Sequence, residues 1–229
     1  MTTHKIDLFD ACRDLFDRVD DSARVTGETS CLYKRDGLLC AAATDPIAAG
    51  KSLREFLPED RWRGEVLCLG AGGAAIAITL NLVGHAARIT VVDRTPGRLA
   101  ALRAIHEGRP EFRYVENSDP RANDTLLRDL PPGSLVVNAT GMGKDTPGTP
   151  LTDMVVFPEG AYVWELNYRG ELQFLQQARA QQRKRGLHVC DGWRYFILGW
   201  AAVIEHVFDL RITDEQLVRL AILSAPSAP

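Results

Sequence analysis

The sequence lacks any excess of positive charge, and that absence excludes a class of partner. Its 27 lysines and arginines face 30 aspartates and glutamates, a formal net charge of −3 at pH 7. A protein that grips nucleic acid through the phosphates needs the opposite balance, so no nucleic-acid partner is expected. The densest basic cluster, Arg183-Lys184-Arg185, falls at the end of a predicted helix beside Gly186, where cations complement the helix C-terminus. Long hydrophobic runs are missing too. No stretch reaches the length of a membrane span and the N-terminus has no apolar signal core, which predicts no membrane partner and a cytoplasmic location. Cysteine is scarce and irregular: Cys12, Cys31, Cys40, Cys68 and Cys190 are an odd number, with no C-x-x-C pair and no histidine in a ligand pattern. They read as reduced, mostly buried thiols, and no metal is expected. Internal repeats and low-complexity segments are absent as well.

At 229 residues the chain has material for one large core or two small ones. Residues Ile6 to Val19 place Leu8, Cys12, Leu15 and Val19 on one helical face with Phe9 and Phe16 beside it, which predicts an amphipathic helix. Two short apolar runs between Ser30 and Ala43 flank Lys34-Arg35-Asp36-Gly37 and predict a hairpin through the Asp-Gly turn. Asp45-Pro46 then opens a helix that continues through Leu53 and Phe56 to Leu57-Pro58, a candidate link between two lobes.

From Glu65 to Cys190 strands alternate with helices. Strands are predicted at Val66 to Leu69, Ile89 to Val92, Phe112 to Val115, Leu135 to Val137, Tyr162 to Leu166 and Leu187 to Cys190. Helices start near Gly73, Pro96, Pro120 and Glu171; two more, Trp193 to Phe208 and Asp214 to Leu223, precede a loose tail, Ser224 to Pro229. The alternation predicts an α/β fold, a doubly wound parallel sheet of the Rossmann type with a partial second α/β lobe. The expected organisation is a partial substrate and catalytic lobe over residues 1–45, a dinucleotide-binding domain over 46–190, and C-terminal helices over 191–229 that return to the first lobe.

The most informative stretch is Gly70-Ala71-Gly72-Gly73-Ala74-Ala75, entered from Val66-Leu67-Cys68-Leu69 and followed by Ile76-Ala77-Ile78. It reads as a strand, a glycine turn and a helix start. Gly70 permits the tight turn, Gly72 lets the backbone approach a pyrophosphate, and Ala75 allows close helix-to-strand packing, with the pyrophosphate at the helix N-terminus. A second strand ends in Asp93, 23 positions after Gly70, about where a ribose-binding carboxylate belongs. The glycine- and proline-rich stretch from Asn138-Ala139-Thr140 to Pro150 leaves the carboxyl end of another strand, where such domains hold ligands.

In order and spacing, these pieces resemble the shikimate and quinate dehydrogenase family from Thr2 to about Leu210. Thr3-His4-Lys5 is similar to the family's T-x-P-H-K segment without its proline, and Thr44-Asp45 to its N-T-D motif with Ala43 in place of the asparagine. Gly70 to Ala75 matches G-x-G-G-A-A, Asp93-Arg94-Thr95 resembles N-R-T, and Asn138-Ala139-Thr140 reproduces N-A-T. Glu165-Leu166-Asn167-Tyr168 resembles D-x-x-Y, and Asp191-Gly192 resembles D-G-x-x-M with Tyr195 at the methionine.

The resemblance implies an oxidoreductase that moves a hydride between a nicotinamide cofactor and a ring hydroxyl of a cyclic polyhydroxy acid such as shikimate or quinate. Lys5 would take or give the hydroxyl proton and Asp45 would orient it. Ser30, at the asparagine of G-A-x-N-T, and Tyr168 are the implied substrate contacts. Gly70, Gly72, Gly73, Ala74, Asp93, Arg94, Arg98, Asn138, Thr140, Gly192 and Tyr195 are the implied cofactor contacts. On their own, Lys5 reads as a solvated terminal lysine, Asp45 as a helix start before Pro46, Tyr168 as a strand-end core residue and Tyr195 as part of an apolar helix. The resemblance is what assigns them roles.

Several positions depart from the family pattern. Glu28 brings a negative charge near Ser30, Gly199 stands at the family's late glutamine, and Asp93 replaces the N-R-T asparagine. A carboxylate at Asp93 accepts from ribose hydroxyls and repels a 2′-phosphate, which predicts NAD; Arg94 and Arg98 resemble phosphate-gripping positions, which keeps NADP as the alternative. The family's region before the lysine, with a serine pair for the substrate carboxylate, has no counterpart after Met1. The expectation is a truncated version of a longer two-lobed enzyme that binds cofactor and turns over ring substrates poorly. Two other readings stay open: a cofactor-binding or vestigial regulatory protein without turnover, and a dehydrogenase of an amino-substituted shikimate-like acid. A small-molecule substrate is the expected partner and a homodimer the candidate assembly.

Overall fold

The computed structural model describes residues 2, 4–58 and 62–224. Met1 and Thr3 of the expected lysine segment, and the tail beyond Ser224, lie outside the described residues. Two compact units divide the chain, Met1–Ser52 with Trp193–Pro229, and Leu53–Gly192.

The first unit opens with α1 (Lys5–Cys12), one 3-10 turn over Arg13–Leu15, and β1 (Arg18–Val19). The helix expected from Ile6 to Val19 therefore stops at Cys12. Pairing with a later strand decides this: Asp17 donates its backbone N–H to the Leu39 carbonyl at 2.9 Å, its carboxylate accepts from the Leu39 N–H at 2.7 Å, and Asp20 donates to the Ala41 carbonyl at 3.0 Å. These bonds claim backbone groups that a continued helix would need. Leu15, assigned to the buried face, is 66% exposed, whereas Phe9 is buried with Ala23 and Ala43.

Next comes α2 (Asp21–Thr26), which periodicity did not reveal but its ends do. The Asp20 carboxylate accepts from the Ala23 N–H at 2.6 Å, and Gly27 ends the helix at φ 62°. The hairpin β2 (Cys31–Arg35) and β3 (Leu38–Ala42) forms as expected, with Asp36 and Gly37 both in the left-handed region that a two-residue primed turn requires. β1 joins β3 in parallel, so this sheet runs β1-β3-β2. α3 (Asp45–Phe56) follows, and the boundary between the units falls inside it.

The second unit contains β4 (Glu65–Leu69), α4 (Gly73–Leu82), β5 (Arg88–Asp93), α5 (Pro96–Ile105), β6 (Phe112–Glu116), α6 (Pro120–Arg128), β7 (Leu135–Asn138), β8 (Tyr162–Glu165), α7 (Gln173–Arg185) and β9 (His188–Cys190). Every pairing is parallel and the order is β6-β5-β4-β7-β8-β9. The chain runs outward one way from β4 and then the other way from β7, so the strand order reverses between these two neighbours. This is the doubly wound Rossmann-type sheet that the alternation predicts. Strands such as Val66-Leu67-Cys68-Leu69 are buried at 1% exposure or less because helices cover both faces. The apolar core there centres on Phe157, Phe174, Val163 and Leu127. α7 ends in Arg183, Lys184 and Arg185 before a left-handed Gly186, so that basic cluster serves the helix end.

The chain finishes in the first unit with α8 (Trp193–Phe208) and α9 (Asp214–Leu223). Ile197, Leu198 and Ala201 of α8 pack on Ala48 and Leu217, and Val203 packs on Cys31 and Ala42. All five cysteines are unpaired; burial pushes the Cys68 thiol up to about 12, which leaves it inert. Among the described residues no helix is long and apolar enough to cross a membrane.

Candidate active site

In the first unit, two helix starts bring Lys5 and Asp45 together. Lys5 opens α1 and Asp45 opens α3, and the lysine Nζ donates to Asp45 Oδ2. The lysine side chain is 24% exposed and the aspartate 9%, so the lysine stays partly exposed while its counter-ion is enclosed. Asp45 is placed by the backbone around it. The fully buried Ser30 hydroxyl accepts from the Thr44 N–H at 2.6 Å and the Asp45 N–H at 3.4 Å, which satisfies groups at the start of α3. Ser30, implied as a substrate contact, thus holds the aspartate segment in this structure. Its neighbour Thr29 donates its N–H to the Lys5 carbonyl at 3.2 Å, so one short stretch braces both members of the pair.

Two further groups belong to this cluster. Glu28 is fully buried, and neither carboxylate oxygen has a hydrogen bond of normal geometry, although the Ser30 hydroxyl is near enough to favour its charged form. Burial first, and then the Asp45 charge, push the Glu28 carboxyl up to about 8, against the pull of Lys5. Tyr195 of α8, implied as a cofactor contact, lies in this first unit; burial, Asp45 and Glu28 together push its hydroxyl well above the usual tyrosine range.

The second unit gathers the other expected residues at one edge of its sheet, because parallel strands end on the same side. Leu69 pairs with Val92 and with Asn138, and Asn138 with Glu165, so the glycine turn, Asp93, Asn138 and Glu165 stand side by side. Gly70 has φ 107°, and a Cβ there would lie 2.6 Å from the Ala139 carbonyl oxygen, so only glycine fits between β4 and the exit of β7. A Cβ on Gly72 would meet nothing within 4 Å, which leaves open space beside the turn. Gly73 and Ala74 form the first turn of α4, whose N-terminus suits an anion.

Asp93 ends β5 with both carboxylate oxygens fixed: Oδ2 accepts from the Ala71 N–H at 2.8 Å and Oδ1 from the Thr95 N–H at 2.8 Å. It therefore ties the glycine turn to its own strand. Arg94 and Arg98 are exposed beside it. The open space, the helix N-terminus and the fixed carboxylate fit a dinucleotide with its pyrophosphate at the turn and a ribose at Asp93.

Asn138 is fully buried and organises the strand exit. Its Oδ1 accepts from the Thr140 N–H at 3.2 Å and hydroxyl at 2.7 Å, while its Nδ2 donates to Glu165 Oε2 at 2.8 Å. Glu165 Oε1 also accepts from the Asn167 N–H at 2.8 Å and Nδ2 at 2.7 Å. Despite these donors, burial pushes the Glu165 carboxyl up to about 7. Asn167 Nδ2 donates to the Met142 carbonyl at 3.0 Å, so the network holds the loop after β7. Gly192 is demanded by the same region, since a Cβ there would lie 2.0 Å from the Leu166 carbonyl oxygen. Tyr168 is half-buried, with the Lys144 and Arg169 cations each 5.9 Å from its ring centre. Sequence reasoning placed Glu28 near Ser30 and Glu165 and Asn167 in the D-x-x-Y-like segment without giving any of the three a role; their complete or near-complete burial is what marks them.

The sheet topology and the open glycine turn at a helix N-terminus define a Rossmann-type domain. No family model matches the chain. It is 32% identical over 214 residues to a shikimate dehydrogenase (NADP(+)) of Symbiobacterium thermophilum, covering 91% of this chain and 70% of that protein. A shikimate dehydrogenase of Nitrobacter winogradskyi is 33% identical over 207 residues, covering 89% and 69%. The chain therefore belongs to the shikimate dehydrogenase family. Against the Caulobacter vibrioides relative, 31% identical over 172 residues, the match spans 58% of that protein's length. The quinate dehydrogenase of Corynebacterium glutamicum in complex with NAD aligns with TM-score 0.75 and 26% identity, over 98% of this chain and 76% of that one. A shikimate 5-dehydrogenase of Thermus thermophilus in complex with NADP(H) and shikimate aligns with TM-score 0.73 and 25% identity, over 97% and 77%.

Proposed function

We propose that the chain carries out reversible hydride transfer between a nicotinamide dinucleotide and a ring hydroxyl of a cyclic polyhydroxy acid of the shikimate or quinate kind. The Lys5–Asp45 pair carries this reading, a partly exposed lysine held by an enclosed carboxylate at positions that resemble the family's catalytic motifs. Oxidising a ring hydroxyl requires its proton to leave as the hydride leaves. The dinucleotide supplies the hydride chemistry when bound. Lys5 passes the proton, Asp45 orients the lysine and the hydroxyl, Ser30 fixes Asp45 through the backbone of residues 44 and 45, and Tyr168 contacts the substrate ring.

Asp93 supports NAD over NADP. Each of its carboxylate oxygens has a second acceptor site beyond the backbone N–H it already holds, and those sites suit ribose hydroxyls while the charge repels a 2′-phosphate. The five unpaired thiols support a reducing, cytoplasmic setting.

The test assays shikimate, quinate and amino-shikimate with each nicotinamide dinucleotide. Lys5→Ala is expected to lower kcat by about 10²- to 10⁴-fold, the usual range for a lost acid or base, with cofactor affinity unchanged, and Asp45→Ala to fall in parallel. Turnover near wild type in Lys5→Ala would refute the assignment. Cofactor binding without turnover of any ring acid would establish the vestigial reading instead.

A further inference from the structure

Glu28 takes no part in the proton transfer proposed above, yet the two residues that follow it are bonded to both members of the ion pair. Its segment runs between the two halves of the ion pair. Thr29 bonds to the Lys5 carbonyl, Ser30 receives the Thr44 and Asp45 N–H groups, and Thr2 donates its N–H to the Ser30 carbonyl at 3.0 Å. The side chain is completely enclosed, without a hydrogen bond of normal geometry to either oxygen among the described residues. An ionised carboxylate in such a place is costly unless a cation or several donors compensate it. The cation available is the Lys5 ammonium, which already serves Asp45.

The charged and titratable groups that act on Glu28 come from four helices or their starts. They are Lys5 of α1, Asp20 at the start of α2, Asp45 of α3 and Tyr195 of α8, with the Ser30 hydroxyl beside them. Asp45 and Asp20 oppose its ionisation and Lys5 favours it.

We propose that Glu28 is a positioning residue for the Lys5–Asp45 pair, a second and fully buried carboxyl group, on the segment bonded to both members of the pair, whose charge decides whether the Lys5 ammonium faces one anion or two. With Glu28 neutral, Asp45 is the sole counter-ion and the ammonium is held toward it. Once Glu28 loses its proton it competes for the same ammonium and repels Asp45, so the pair no longer has a single arrangement. Burial puts that change near pH 8 and not in the ordinary carboxylate range. The inference rests on the proton-transfer role of Lys5 proposed above.

The experiment labels the glutamate side-chain carboxyls of the whole chain with carbon-13 and follows them by NMR against pH. Glu28→Gln removes one resonance and so assigns it; if that variant fails to fold, Glu28→Asp removes the same resonance. The expected midpoint is near 8, moving up in Lys5→Met, which removes the favourable cation, and down in Asp45→Asn, which removes the anion that opposes its ionisation most. A midpoint near 4.5, the unperturbed glutamate value, or one indifferent to both substitutions, overturns the proposal. A second readout is the pH profile of kcat on whichever ring acid turns over. The inflection near 8 is expected in the unmodified protein and absent in Glu28→Gln, and an inflection that persists also counts against Glu28. The titration needs no turnover, so an inactive chain with a coupled Glu28 refutes the proposed function alone, and an active chain with an ordinary Glu28 refutes this inference alone.

Discussion

Replacing Glu165 by glutamine should change the stability of the protein by an amount that depends on pH, with a sign that can be worked out from the site. The Glu165 carboxyl sits at about 7 in the folded chain against 4.5 when unperturbed. Between those values the unfolded chain has released a proton that the folded chain keeps. A raised folded value therefore means that Glu165's contribution is fully present below pH 4.5 and is lost as pH rises to about 7. The limiting slope is about 1.4 kcal/mol per pH unit, which accumulates to about 3 kcal/mol across the window.

Glutamine escapes that loss because it never ionises, but it pays a different penalty. Its oxygen can still accept from both Asn167 donors, while its NH₂ must face Asn138 Nδ2, another donor. Asn138 cannot turn its amide over without giving up the Thr140 N–H and hydroxyl. One unsatisfied buried donor costs about 1–3 kcal/mol at any pH. The variant should therefore be the less stable protein at pH 5, and the difference should shrink by about 2–3 kcal/mol by pH 8. Urea unfolding followed by tryptophan fluorescence, to which the buried Trp164 beside Glu165 on β8 contributes, reads this. Glu28 adds its own pH dependence to both proteins and cancels in the difference. A stability difference that stays constant from pH 5 to pH 8 would show that Glu165 is ionised throughout and refute the reasoning.

Two further substitutions probe the sheet edge. Gly70→Ala places a Cβ 2.6 Å from the Ala139 carbonyl oxygen at φ 107° and should cost about 2–4 kcal/mol in urea unfolding, overpacking added to left-handed strain; an unchanged midpoint would mean that the β7 exit moves freely. Asp93→Asn keeps one of its two backbone bonds and turns an NH₂ toward the other N–H, so it should narrow the discrimination between NAD and NADP and lose about 1–2 kcal/mol of stability. Titration of both cofactors checks it, and tighter NADP binding by the unmodified chain would show that Arg94 and Arg98 outweigh the carboxylate.

The Rossmann-type sheet was legible because its strands are enclosed on both sides. Val66-Leu67-Cys68-Leu69 and Leu135-Val136-Val137 are unbroken apolar runs, and the observed strands start or stop within a residue of their expected limits. Helix starts at Pro96 and Pro120 and the Asp36-Gly37 turn were readable because local chemistry and tertiary structure ask for the same residue there. The region from Ile6 to Val19 was misread for the opposite reason. Its apolar spacing favours a helix, but pairing of residues 17–20 with β3 wins, and nothing within the segment announces a partner more than twenty positions away. The pairings at the candidate site were legible only through resemblance. Neither Lys5 nor Asp45 carries a local signal of the other, and nothing around Glu28 in the sequence announces that its side chain is fully buried.

Comparison of the two buried glutamates shows how the same desolvation leads to different chemistry. Both are fully enclosed, and burial is the leading cause that raises each. Glu165 receives three N–H groups and the help of the Lys144 charge, and settles near 7. Glu28 receives no hydrogen bond of normal geometry and lies beside Asp45, and it settles near 8 in spite of Lys5. Hydrogen bonds stabilise a carboxylate where it stands, so Glu165 works as a fixed joint that orders the loop after β7 in either charge state. A carboxyl without such donors depends on its charged neighbours, and any change in Lys5 or Asp45 must be felt at Glu28. That coupling is reciprocal, so a change of charge on a side chain too enclosed to meet a ligand is felt in turn by the Lys5–Asp45 pair.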